Sequence, residues 1–154
     1  MTNAFDTAWD SASDKPLGIQ NGEHLVIVKG ARVDQNEYGR SIVFDLYYPA
    51  ATTAYNSERA FYSLNPENQK ALGITKRNLK VVKYGRLSDD DPSVQSSEIN
   101  DVLNRSINGK ARVRRSTTPK KSGEGNYINF TFLSFEPAVD PYSAPGLELD
   151  DVPF

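Results

Sequence analysis

Residues 40–48, Arg-Ser-Ile-Val-Phe-Asp-Leu-Tyr-Tyr, restrict this chain more than any other stretch of it. Taken in steps of two, Ile42, Phe44, Leu46 and Tyr48 fall on one face, and Ser41, Val43, Asp45 and Tyr47 fall on the other. That is the period of a strand with one face turned to a core. The preceding residues from His24 to Val33 are compact and β-branched, a second strand in which Gly30 marks a bulge or bend. Asn36-Glu37-Tyr38-Gly39 between them supplies turn chemistry, so the two strands form an antiparallel hairpin.

The remaining elements follow from punctuation. Pro49 to Ser57 reads as a loop and Arg59 to Leu64 as a third strand. Asn65 as cap, Pro66 at the first helical position and Gly73 as stop predict a short helix. A second helix is predicted over Thr75–Tyr84, ending at Gly85. A third, from Ser97 to Arg105, buries Ile99, Val102 and Leu103. Leu87 to Ser97, with Asp89-Asp90-Asp91-Pro92, is a solvated loop. Extended structure resumes at Gly109, and Ser116–Gly125 is a basic loop. Asn126–Phe135 closes the body, with Ile128, Phe130 and Phe132 inward and Tyr127, Asn129 and Thr131 outward. Three strands, a helical segment and two strands are the order of a mainly β, five-stranded OB-fold barrel with a helical insertion between strands 3 and 4. The expected domains are an arm at 1–21, the barrel at 22–136 and a disordered, acidic Pro/Asp/Ser-rich tail at 137–154. Within the arm, Phe5 and Trp9 at i, i+4 suit a helical turn docked on the body.

Composition limits the chemistry. There is no cysteine for a disulfide, thiolate metal site or nucleophile, and the single histidine, His24, leaves little for zinc or a Ser-His relay. We expect no cofactor, no metal and no catalysis. Neither a membrane span nor a secretory leader is legible, so a cytoplasmic protein is expected. The net charge of −2 conceals a division. From Glu136 onward lie five acidic residues and no basic one, and residues 1–16 hold three aspartates against Lys15. Between Leu17 and Phe135 stand 17 basic and 12 acidic residues, a net of +5. A basic body with acidic ends points to a nucleic-acid binder.

Binding a single strand requires cations that track phosphates and aromatic faces that receive splayed bases. Lys76, Arg77, Lys80, Lys83 and Arg86 make a basic run without an acid. Arg40 and Arg59 flank the second and third strands, and Lys120 and Lys121 sit in the last hairpin loop. Lys110, Arg112 and Arg114 alternate with Ala111 and Val113, which puts three cations on one strand face. They repel one another unless an anion, DNA or the protein's own tail, lies opposite. Tyr38, Tyr47, Phe61, Tyr62 and Tyr127 are the candidate stacking residues. Phe61 and Tyr62 point to opposite faces, so at most one of them stacks, and Phe44, Phe130 and Phe132 belong to the core.

The last residues, Asp150-Asp151-Val152-Pro153-Phe154, combine carboxylates suited to a basic rim with an aromatic suited to an apolar pocket. Proline lowers the ordering cost of such docking. This segment resembles the Asp-Asp-Ile-Pro-Phe tip of bacterial single-stranded-DNA-binding proteins, with Val152 in place of isoleucine. The body does not resemble the bacterial barrel. It is similar instead to small phage-encoded proteins of that kind, through Gly22-Glu23-His24-Leu25-Val26-Ile27, Gly-Arg-Ser-Ile-Val-Phe at 39–44, Gly-Lys-Ala-Arg-Val at 109–113 and Tyr-Ile-Asn-Phe at 127–130. The resemblance implies sequence-independent single-stranded-DNA binding in phage replication or recombination. It also implies that the tail recruits partner proteins through Phe154 in the cytoplasm of a bacterial host. A homodimer is compatible with all of this. Two rivals remain at this level. One is a magnesium-dependent nuclease or junction-processing enzyme using Asp89, Asp90, Asp91, Glu98 and Asp101. The other is an adaptor that binds host replication proteins through its tail and hardly touches DNA.

Overall fold

The computed structural model describes residues 3–11, 19–37, 39–51 and 54–138. Its framework is one antiparallel sheet of five strands in the order β3-β2-β1-β4-β5. β1 (Gly22–Asn36) is long enough to serve two partners. Its first part pairs with β4 (Lys110–Pro119), from Gly22↔Arg115 to Ile27↔Lys110. Its second part pairs with β2 (Gly39–Tyr47), from Ile27↔Tyr47 to Asn36↔Gly39. The register shifts between Val28 and Gly30, so the bulge expected at Gly30 is present. β3 (Ser57–Ser63) adds to β2 on one side, and β5 (Asn126–Glu136) adds to β4 on the other.

The alternation in β2 sorts its side chains as the sequence predicts, with Ile42, Phe44, Leu46 and the following Tyr48 buried in the core. Val26, Val28, Ala60, Tyr62, Val113, Phe130 and Phe132 join them. Val43, assigned to the polar face, is buried as well. Ile128 departs from the expected inward set and is 38% exposed, while Phe135 is buried. The reason is length: β4 and β5 run on to Pro119↔Asn126, beyond the core, so Ile128 has nothing to pack under. A register irregularity between Arg112 and Val113 brings Phe135 inward opposite Ala111.

The two short helices predicted over 65–84 are one, α2 (Gln69–Tyr84). Asn68, not Asn65, is its cap, accepting a 3.0 Å bond from the Ala71 N–H, and Asn65 instead accepts from the Glu67 N–H in the preceding turn. Gly73 is not a stop. A glycine inside a helix costs only about 1 kcal/mol, and burial of Thr75, Leu79, Val81 and Val82 outweighs it. The stop is Gly85, whose left-handed φ of 82° returns its N–H to the Val81 carbonyl. A 3-10 turn (Ser96–Glu98) leads into α3 (Ile99–Ser106), which buries Val102 and Leu103 while Ile99 is only partly covered.

The outer strands β3 and β5 face one another without a ladder between them. Side chains occupy the position: the Tyr62 hydroxyl donates to the Phe130 carbonyl at 2.8 Å, and the rings of Tyr62 and Phe132 lie 6.1 Å apart. α2 covers the β5 edge at Phe132 and Phe135. Asn78, buried, accepts from the Phe132 N–H at 2.8 Å, and the Gly85 carbonyl accepts from the Phe135 N–H at 3.2 Å. That stretch of the edge is thereby blocked against another strand. A polar cluster runs from the buried Glu58, Arg115 and Tyr48 out to the exposed Tyr55 and Asn21, joined by hydrogen bonds.

α1 (Ala4–Ser11) forms in the arm, but the docking expected of Phe5 and Trp9 does not occur: they stack on each other and remain 69% and 71% exposed. No helix among the described residues is long and apolar enough to cross a membrane.

Candidate nucleic-acid interface

Register determines which exposed side chains meet on the outer face of β1, β2 and β3. Arg32, Val43 and Phe61 are partners in one row across the three strands, and Gly30, Asp45 and Arg59 are partners in the next row on that face. Asp45 therefore lies between two arginines. It accepts from Arg32 Nη1 at 2.8 Å through Oδ2 and from Arg59 Nε at 3.0 Å through Oδ1. Arg32 also pairs with Asp34 at 3.2 Å. The hydrogen bond that Arg32 donates to Asp45 is the main cause holding its guanidinium above its ordinary pKa. Gly30 makes room for this arrangement, since a Cβ there would lie 2.7 Å from Asp45 Oδ2. Beside the bridged arginines Phe61 is 59% exposed, a large apolar ring held on a strand next to two fixed cations.

The other candidates are distributed around the body. Tyr62, the alternative to Phe61, is buried, and burial pushes its hydroxyl well above the usual phenol range. Tyr47 stands at the end of the same face as Phe61, with Lys29 Nζ 5.6 Å from its ring centre. Arg40 is exposed at the start of β2 and lines a groove against α2 and α3 together with Lys76. Lys76, Arg77 and Lys80 border a second depression with Leu87 and Asp89. Lys83 is tied to Glu98 at 2.6 Å and lies over the Tyr84 ring, and Arg86 reaches Asp91 at 3.4 Å. Lys110, Arg112 and Arg114 are exposed on the outer face of β4, as their alternation predicts. Their cross-strand neighbours are not all neutral: Glu136 faces Lys110 on β5, and Glu23 faces Arg114 on β1. Lys120 and Lys121 are exposed in the β4–β5 turn, where Lys120 Nζ lies 5.4 Å from the ring centre of Tyr127, itself 58% exposed. Tyr38 and the tail residues Asp150, Asp151, Val152, Pro153 and Phe154 lie outside the described residues.

Two of the five carboxylates of the nuclease alternative, Glu98 and Asp91, are engaged elsewhere. Glu98 accepts from Lys83 and from the Gln95 N–H at 2.7 Å, and the Lys83 bond holds its carboxyl below the usual range. Asp91 is half of the Arg86 pair. No group of three or more metal-ligating side chains occurs among the described residues.

Reading the sequence alone missed Arg32, and with it the role of Asp45. Neither is conspicuous until the bulge fixes which β1 residue faces Val43. No protein-family model matches this chain, and no curated protein matches it significantly in sequence.

Proposed function

We propose that this protein binds single-stranded DNA without sequence preference across the outer face of β1–β3, with Phe61 stacking on a base and Arg32 and Arg59 meeting the adjacent phosphates. The observation that carries this reading is the exposed Phe61 beside two arginines held on one carboxylate. An apolar ring left in water next to ordered cations suits an alternation of base and phosphate, and suits a globular core poorly. Tyr47 extends the path along the same face, and Arg40, Lys76, Arg77, Lys80, Lys120, Lys121 and Tyr127 are further candidate contacts on other parts of the body. The Lys110-Arg112-Arg114 stripe offers a further basic face. The fold in this reading is an OB barrel with β3 and β5 meeting at its seam. Support comes from the strand order, from β1 being shared between two partners and from the side-chain contacts joining β3 to β5. The tail at 150–154 recruits replication and recombination proteins in the manner its sequence resembles, in a phage-infected bacterial cell.

Anisotropy of labelled oligo-dT tests the central reading. Binding is expected to weaken with salt, with log K falling by about 0.7 per neutralised phosphate against log salt. An absence of binding at low salt overturns it.

A further inference from the structure

α1 is an exposed two-sided helix of unusual content. Phe5 and Trp9 form one stripe, their ring centres 6.1 Å apart, and Asp6 and Asp10 form the neighbouring stripe. Elsewhere on the same chain is a feature of matching chemistry. Between the β1–β2 turn region and helices α2 and α3 runs a groove of about 460 Å³, floored by Leu64, Leu72, Leu79 and Ile99. The charged residues lining it, Arg40 and Lys76, are both cationic. Two adjacent aromatics with two carboxylates alongside fit an apolar floor with a basic rim.

We infer that α1 docks in this groove on a second copy of the chain. Helix and groove are both present in one molecule and do not meet there. Phe5 and Trp9 are among the most exposed large apolar side chains described. α1 is joined to the body at Ile19, next to the end of β1 where Gly22 faces Arg115. The groove is at the other end of β1, near Val33 and Leu64. Helix on one copy and groove on the next make a head-to-tail contact, which propagates into a chain or closes into a ring or exchanged pair.

Trp9 is the only tryptophan, so its emission reports α1 directly. In the full-length protein without DNA, the emission is expected to move to shorter wavelength with rising concentration, in step with a rise in mass by light scattering. Phe5→Asp is expected to abolish both changes. Two charge-reversed chains, Arg40→Glu/Lys76→Glu and Asp6→Lys/Asp10→Lys, are each expected to self-associate at least about tenfold more weakly. Mixed together they should associate again, because the basic helix of one fits the acidic groove of the other. All four positions are exposed, and circular dichroism verifies that both chains are folded. A monomer with solvent-exposed Trp9 at every concentration overturns the inference. Short-wavelength emission independent of concentration assigns the helix to its own body and also overturns it. So does association that appears only in a chain ending at Ala138, which assigns the groove to residues 139–154. Failure of the mixed chains to associate overturns it as well.

Discussion

The Arg115 guanidinium grips the Glu58 carboxylate with two parallel hydrogen bonds, Nε to Oε1 at 2.7 Å and Nη2 to Oε2 at 2.8 Å, joining β4 to β3 through the interior. Tyr48 and Tyr55 donate to the same carboxylate at 2.7 and 3.0 Å, and Asn21 accepts from Arg115 Nη1 at 2.8 Å. An ion pair with side chains 10% and 3% exposed is stable only when its donors and acceptors are occupied in this way.

Removing one partner leaves a buried charge without its counterion. Glu58→Gln is expected to lower unfolding free energy by about 3–5 kcal/mol, measured by urea denaturation. The double change Glu58→Leu/Arg115→Met should recover part of that loss, since an apolar pair of similar volume has no charge to desolvate, although the buried Tyr48 hydroxyl loses its acceptor. A double variant as unstable as the single one contradicts this account.

The same pair fixes a pH dependence. Burial pushes the Glu58 carboxyl up, but the bonds from Arg115, Tyr48 and Tyr55 outweigh burial and hold it below the ordinary carboxylate value. The unfolded chain therefore binds a proton at this site more readily than the folded one. Its contribution is complete above the unfolded pKa, about 4.3, and is lost as pH falls through the lower folded value. Stability measured from pH 6 downward should fall more steeply for the wild-type chain than for Glu58→Gln.

Phe61 separates binding from stability. Being largely exposed, it contributes little to the core, and Phe61→Ala should leave the unfolding midpoint nearly unchanged. Loss of one stacked base corresponds to about 1–3 kcal/mol, or roughly five- to 150-fold in affinity for oligo-dT. Titration of labelled oligo-dT checks this, and unchanged affinity removes Phe61 from the site.

Asp45 competes with phosphate for the arginines it orders. Asp45→Asn is expected to tighten oligo-dT binding at low salt and to steepen the salt slope, because Arg32 and Arg59 then meet their phosphates without a competing carboxylate. The pairs are near the surface, with side-chain exposures of 37%, 62% and 34% for Arg32, Arg59 and Asp45, so the stability change should stay within about 1 kcal/mol. Gly30→Ala should act similarly, because its Cβ displaces Asp45 Oδ2 from Arg32. A flatter slope in either variant contradicts the assignment.

The acidic tail is expected to act as a weak competitor for the same basic surfaces. Deleting residues 147–154, which include Glu148, Asp150 and Asp151, should raise oligo-dT affinity at low salt and have little effect at high salt. Equal affinities in both chains at low salt limit those residues to partner recruitment.

Local pattern determined much of this protein. The period of two over residues 40–48 fixed the buried face of β2. Turn residues at 36–39 fixed its pairing with β1, and the alternation from 110 to 114 placed three cations outward. Arg115 was missed in the sequence, although residues 111, 113 and 115 share a face and a cation among apolar neighbours calls for a carboxylate. Which carboxylate it meets was not legible, because Glu58 is 57 residues away and only the folded sheet brings the two side chains together. The functional face has the same character. Phe61 or Tyr62 had to point outward, but the choice follows from pairing Phe61 with Val43 and Tyr62 with Ile42. Arg32 joins Asp45 only because the bulge before Gly30 moves β1 by one residue. α2 continued through Gly73 because burial against β5 and β3 outweighed a local preference of about 1 kcal/mol. Strand period and turn chemistry act between near neighbours, so the sequence carries them in full. Register, edge coverage and ion-pair choice depend on residues brought together over long separations, and tertiary structure alone decided them.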